Sequence, residues 1–299
     1  TRTIHSSIMK NQFKCRRILL MLGMLLAVLG LDVLWSMTAL QTTTYEFASP
    51  KISEPVHFVF LSDLHCRNFG KHNQELCKRI ADQKPDFIVL AGDIINRGST
   101  KNEIEEVCSF IKDLTKIAPV YYSLGNHEEQ YISANGDEVL QQIESTSAIL
   151  LNDTYIDVDV HGQSLRFGGM IKLAYLAVEK EEDEENIFLD NFCNTDRLKI
   201  MLSHRPEGFY FGDACKVWNV DFILSGHTHG GLIRLPFIGG LYAPMQGWFP
   251  EYDQGYFRLG EHMQMVITSG LAGHGMIPRI NNPPEIVVID LVPETTQER

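Results

Sequence analysis

Five times along this 299-residue chain, an apolar run of strand type stops at residues that can bind a cation. The runs are residues 56–61, 86–91, 119–124, 198–202 and 222–224. They are rich in β-branched and aromatic side chains, the pattern of buried strands. The sequences that follow them are Ser62-Asp63-Leu64-His65, Gly92-Asp93, Gly125-Asn126-His127-Glu128, Ser203-His204 and Ser225-Gly226-His227-Thr228-His229-Gly230-Gly231. Imidazole is the commonest metal ligand near neutral pH, and Asn126 adds a neutral carbonyl oxygen suited to hard or borderline cations. Asp63 and His65, two apart, are expected on one side of the chain. A lone Gly-Asp or a Gly-rich turn with two histidines has a bland reading as a turn. Five in series do not, because sites in α/β sheets form just beyond the carboxyl ends of strands, where these residues meet.

Helical periodicity fills the gaps, over 72–83 with Leu76 and Ile80 inward and over 102–115 with residues 103–106 on a solvated face. Hydrophobic residues make up 44% and charged residues 21% of the chain, ordinary globular usage that excludes general disorder. Residues 1–17 carry five basic and no acidic side chains, leaving 21 basic against 38 acidic in the rest, a net −17. A body that acidic is no general nucleic-acid binder, since phosphate-backbone binding rests on Lys and Arg. The six cysteines, Cys15, Cys66, Cys77, Cys108, Cys193 and Cys215, have neither CxxC spacing nor a disulfide-framework pattern and read as small packed side chains.

After the basic start comes an apolar stretch over 18–40, interrupted once by Asp32 and long enough to cross a bilayer. The reading adopted is an uncleaved signal-anchor, with a cleaved signal peptide as the alternative. Basic residues before it place residues 1–17 in the cytoplasm and the remainder outside, at the cytoplasmic membrane. Arg16-Arg17 also fits a twin-arginine export signal. Residues 41–54 read as a polar linker, 55–293 as the folded domain and 294–299 as a tail.

The five strand-end motifs resemble those of the calcineurin-like metallophosphoesterases, over about residues 56–292. Gly226-His227-Thr228-His229-Gly230-Gly231-Leu232-Ile233-Arg234-Leu235-Pro236 and the segment 278–286 are similar to a membrane-anchored or exported bacterial branch, with twin-arginine-exported phosphoesterases and UDP-2,3-diacylglucosamine pyrophosphatase relatives. The resemblance implies a four-layer α/β/β/α sandwich and a dinuclear centre. It places Asp63, His65 and His229 on one divalent cation, Asn126, His204 and His227 on a second, and Asp93 between them. Manganese is the first expectation, with zinc or iron as alternatives. The implied activity is hydrolysis of a phosphomonoester, phosphodiester or pyrophosphate by hydroxide held between two cations roughly 3.5–4 Å apart. His127 is implied as general acid, with support of Asp93 as its alternative. A lipid-linked or cell-envelope substrate is expected; a non-catalytic scaffold of the same fold and a phosphoprotein phosphatase are the competing readings. Thr268-Ser269-Gly270 departs from the family, where an arginine often precedes the glycine.

The remaining candidates carry less. Arg67, Arg234 and Arg279 are read as phosphate contacts or surface ion pairs, and Cys66 as packing. The acidic run 179–185 is read as a solvated loop, and His274 as a loop residue. Met245, Trp248 and Phe249 read as core packing, with an apolar lip by the site or a membrane contact as alternatives.

Overall fold

The structure is a computed structural model that describes residues 2–178, 184–273, 275 and 277–294. Helix α1 (Arg2–Thr38) leads into the body. Strands β1 (Gln41–Ser49), β2 (Val56–Leu61), β3 (Phe87–Ala91), β4 (Val120–Ser123), β5 (Ile149–Leu151) and β16 (Glu285–Pro293) form one six-stranded sheet, in the order β1-β16-β2-β3-β4-β5. Strands β6 (Thr154–Val160), β7 (Gln163–Met170), β8 (Leu198–Ser203), β9 (Phe222–Ser225), β14 (Gly255–Leu259) and β15 (Met263–Ile267) form the other, in the order β14-β15-β9-β8-β7-β6. Two short hairpins intervene, β10 (Arg234–Leu235) with β11 (Gly239–Gly240) and β12 (Tyr242–Ala243) with β13 (Gly247–Trp248).

Strand alternation sorts the apolar side chains into layers. Phe58, Phe60, Phe87 and Val89 point inward and meet Phe167, Ile200, Phe222 and Val266 of the second sheet. Tyr121 stacks on Phe167 with ring centroids 4.3 Å apart. Val59, Leu61, Ile88 and Leu90 point outward, under α2 (Gln74–Gln83), α3 (Lys101–Leu114), α4 (Asn126–Asn135) and α5 (Glu138–Glu144). On the far side Met201, Ile223 and Met265 pack under α6 (Ala174–Val178), α7 (Glu184–Cys193), α8 (Glu207–Tyr210) and α9 (Ala214–Val217). The result is the α/β/β/α sandwich. Central strands β2, β3 and β4 run parallel, as do β7, β8 and β9, so their carboxyl ends fall on one edge.

Three readings change. Residues 41–49, expected as linker, are β1, paired in parallel with β16 from Gln41↔Glu285 to Ser49↔Pro293. The Thr-Thr-Thr run belongs to an edge strand whose exposed face tolerates polar, β-branched side chains. Its apolar member Phe47 enters the inter-sheet core, 5.2 Å from the Phe222 ring. Met245, Trp248 and Phe249 are exposed and do not pack in the core; they lie in and beside the β12–β13 hairpin, which pairs apart from both large sheets. The first body helix begins at Gln74, not 72, since His72 and Asn73 take left-handed backbone with φ of 50° and 58°. Residues 179–183, His274 and the tail from 295 lie outside the described residues; Glu184 starts α7.

Candidate metal centre

All seven sequence-nominated ligands sit on the edge where the parallel strands end, and so does His127. Strand alternation is not what makes them converge. Asp63, His65, Asp93, His227 and His229 all have positive φ, between 49° and 70°, in tight turns just past the strands. Asp and His tolerate this conformation better than most residues, yet it costs free energy, and such strain concentrates at functional sites. The turns lock onto one another: Asp63 and His65 amides donate to the Gly92 and Asp93 carbonyls, at 3.1 and 3.0 Å. The His227 amide donates to the Asp63 carboxylate, at 3.1 Å to Oδ2. A Cβ on Gly226 would lie 2.1 Å from Ser62 Oγ and 2.2 Å from Asp63 Oδ2, so only glycine lets these two turns meet.

Three sets of ligand atoms emerge, each within 4.8 Å of one another: Asp63 with His65 and His229, His65 with Asp93 and His127, and Asp93 with His204 and His227. Asn126 lines the same cavity, of about 100 Å³, beside Asp93, His127 and His227. Backbone and side-chain acceptors decide which ring nitrogen each imidazole presents. His204 Nδ1 donates to Ala91 O at 2.8 Å, His229 Nδ1 to Ala272 O at 3.1 Å, and His65 Nδ1 to Asn96 Oδ1 at 3.0 Å. Asn96 is itself fixed, donating through Nδ2 to His65 O. Each Nε2 therefore faces the carboxylates, the arrangement that outer partners impose on metal-binding histidines.

His127 is wired the other way. Its Nδ1 accepts the Arg97 amide at 3.3 Å, which leaves the proton of the neutral ring on Nε2. That nitrogen lies 3.9 Å from Asp93 Oδ2, and the His127 amide donates to Asp93 Oδ1 at 2.8 Å. His65, His204, His229 and His127 look alike in sequence; the partners of their Nδ1 atoms separate them.

The electrostatics fit a cation. Burial pushes His65 down to about 4 and His227 to about 3, and holds His229 well below its ordinary range, so all three are neutral. Burial also lifts Asp63 to about 6. For His204, burial opposes the charge, but Asp93 and Asp63 outweigh it and raise the ring to about 10. Burial likewise works against the Asp93 charge, yet His204 foremost keeps it below the usual carboxylate range. Two buried carboxylates thus demand positive charge here. Among the described residues, His65 Nε2, His204 Nε2 and Asn126 Oδ1 are buried atoms with no hydrogen-bond partner. His204 Nε2 is 3.1 Å from Asp93 Oδ2 but off the hydrogen-bonding direction. These oxygen and nitrogen atoms, aimed at a common space, fit divalent cations once His204 gives up its Nε2 proton.

Sequence reasoning missed Glu128, the support of the Asp93 turn. Its buried carboxylate accepts the amides of Asp93, Ile94, Ile95 and Gly125 and the Tyr122 hydroxyl, at 2.8 to 3.0 Å. Burial and then Asp93 push its pKa up. All five partners are donors, however, so an added proton would find no acceptor and the ionised form is the one that fits. A Glu three residues after the Gly125 cap is a legible helix-start signal. The arginines also change role. Arg279 is fully buried and donates to the carbonyls of Asn282, Ala272 and Ser269; Arg67 donates to Leu271 O and Met37 O; Arg234 pairs with Asp253 at 2.8 Å. They brace loops, and Arg279 shares Ala272 O with His229. Cys66 packs beside the outer core, hydrogen-bonded to Ser99 Oγ.

The model of the calcineurin-like phosphoesterase family matches residues 56–231. The chain belongs to that family. That family comprises metal-dependent phosphoester hydrolases that use a dimetal centre. An uncharacterized metallophosphoesterase of Campylobacter jejuni is 29% identical over 251 residues, covering 81% of this chain. The chain spans 60% of that relative's length. Phosphodiesterase YaeI of Escherichia coli is 25% identical over 243 residues, covering 80% of this chain and 83% of YaeI. A Danio rerio transmembrane protein with a metallophosphoesterase domain is 24% identical over 264 residues, covering 81% of this chain and 54% of its own.

Proposed function

We propose that the chain hydrolyses a phosphodiester, phosphomonoester or pyrophosphate, with a lipid-linked or cell-envelope compound as substrate. In this reading Asp63, His65 and His229 hold one divalent cation, Asn126, His204 and His227 hold a second, and Asp93 reaches both. The carrying observation is that three buried, unpartnered donor atoms surround two buried carboxylates. When bound, the two cations neutralise phosphoryl charge and acidify water, manganese being the first choice and zinc or iron the alternatives. The protein's own part is positioning. Ala91, Ala272 and Asn96 fix the ring tautomers, and Glu128 holds the turn that carries Asp93. His127 keeps a proton on Nε2, facing the cavity, and delivers it to the departing alkoxide. Thr228, Leu232, Tyr242 and Pro244 line the remaining wall.

The apolar span Arg16–Thr38 would anchor the chain in the cytoplasmic membrane, with the catalytic domain outside. The name of the Danio rerio relative, a transmembrane protein, supports an anchored reading. Hydrolysis of bis(4-nitrophenyl) phosphate and 4-nitrophenyl phosphate by the full chain in detergent, titrated with Mn²⁺, tests the activity. Metal-dependent turnover that disappears in Asp93→Asn is expected; a chain that binds two equivalents of metal and turns over neither compound overturns the proposal.

A further inference from the structure

The topology decides which edge of the molecule lies next to the anchor helix. Strand β1 leaves α1 at Gln41, opposite Glu285 of β16, and β16 runs antiparallel to β2 with Val287 opposite Phe60. The start of β1 is therefore level with the carboxyl end of β2, where Asp63 and His65 stand. The helix enters the sandwich at the metal-binding edge.

It is also docked there. The Asn281 amide donates to Asp32 Oδ2 at 2.7 Å, the Asn282 amide to Ser36 Oγ at 3.1 Å, and Arg67 donates to Met37 O. Asp32 precedes the end of α1 at Thr38 by six residues, about 9 Å of helix. The body thus grips the last turns of the apolar span itself, Arg16–Thr38, not a tether beyond it. Whatever lies beside Asn281 sits at the depth of the span's end.

The hairpin of β10 and β11 lies beside Asn281. Ile233 bridges to Ile280, the Arg234 amide donates to Ile280 O at 3.0 Å, and Asn281 Nδ2 donates to Arg234 O at 3.4 Å. At its tip, past Pro236, Phe237 is fully exposed and Ile238 largely so; Ile277 of the gripped loop is exposed too. Exposed aromatic and aliphatic side chains on a turn cost solvation in water and gain it in the headgroup–acyl boundary. Its β-hairpin ladder and the Arg234–Asp253 pair hold the tip in place.

We propose that this hairpin is a second membrane contact: Phe237 and Ile238 enter the lipid surface beside α1 and hold the metal-binding edge against the bilayer. The occupant is lipid, because the same backbone network joins the tip to the end of a bilayer-length helix. The site then faces amphiphilic phosphoesters whose headgroups lie at the surface. This rests on the proposed reading of α1 as an anchor and of the site as a hydrolase.

The full chain, reconstituted in vesicles of phosphatidylcholine and phosphatidylglycerol, tests it. Phe237→Cys and, separately, Ile238→Cys carry an environment-sensitive fluorophore, with the unsubstituted chain as blank for its native cysteines. Glu54→Cys, exposed just before β2 at the opposite edge, is the control. Doxyl-labelled lipid should quench either tip label roughly twofold or more and leave the control unchanged, while iodide quenches only the control. A tip label open to iodide overturns the proposal. So does one shielded from iodide but unquenched by lipid, which marks a protein contact such as a second copy. Carbonate extraction of the chain from the vesicles would overturn the anchor reading and this proposal together. Turnover of the soluble diester and monoester with Mn²⁺, measured on the same samples, reports separately: absence of both with metal bound and quenching intact removes the hydrolase reading and supports the hairpin contact.

Discussion

A histidine's chemistry in this site is set by what its far nitrogen touches. His204 and His229 donate to backbone carbonyls through Nδ1 and turn Nε2 to the carboxylates, whereas His127 accepts an amide there, which leaves Nε2 the nitrogen proposed as the acid. His127→Ala should therefore keep both metals and lower kcat by about 10² to 10⁴. Metal content by mass spectrometry alongside steady-state kinetics checks both halves, and an unchanged kcat would remove the assignment. Glu128→Gln acts differently. Its amide replaces one carboxylate oxygen with a donor, which then faces the donors that oxygen accepted. The expected cost is about 1–3 kcal/mol of stability, read from denaturant unfolding, together with weaker metal retention.

At the level of elements, the strand-end turns were legible as motifs, but their conformation was not. Sequence spacing suggested that Asp63 and His65 converge by alternation; left-handed backbone past the strand end does it instead. Edge strand β1 was missed for a related reason, since alternation of a polar run looks like a linker until β16 supplies its partner. The β6–β7 hairpin offers a test of pH dependence. Arg166 bonds Asp157 through Nε at 2.6 Å and Nη2 at 2.9 Å and, foremost through that side-chain hydrogen bonding, holds the carboxyl below its ordinary range. A depressed carboxyl contributes stability above its unfolded pKa and loses it as pH falls through the folded value. Asp157→Asn should thus lower stability near neutrality, by no more than about 1 kcal/mol for a partly exposed pair, and the difference should vanish as pH falls through the folded value. Thermal melts across that range decide it; a constant offset down to acid pH would show that the pair's charge is not the cause.

For the molecule as a whole, the two sheets bring into one cavity residues separated by more than 160 positions, from Asp63 to His229. Without cations the edge holds two buried carboxylates close together, so metal binding and folding are linked. With free metal a hundredfold above Kd, chelation should cost about 2.7 kcal/mol, read as a fall in Tm that re-added metal reverses. A chelator-insensitive Tm would mean that no cation is held by these residues.

The sequence alone determined the order of apolar strands, the chemistry at each strand end and a bilayer-length apolar segment, because all three are local: side-chain type, period and run length. From these the ligand candidates and a resemblance to the family were legible, and the four layers followed from the resemblance alone. Only the tertiary structure decided the rest, since it depends on partners distant in the chain. Which nitrogen each histidine presents follows from Ala91, Ala272, Asn96 and Arg97. That Arg279 braces a loop instead of meeting a phosphate follows from its burial among carbonyls. That α1 meets the edge carrying Asp63 and His65 follows from the parallel pairing of β1 with β16, which no periodicity encodes.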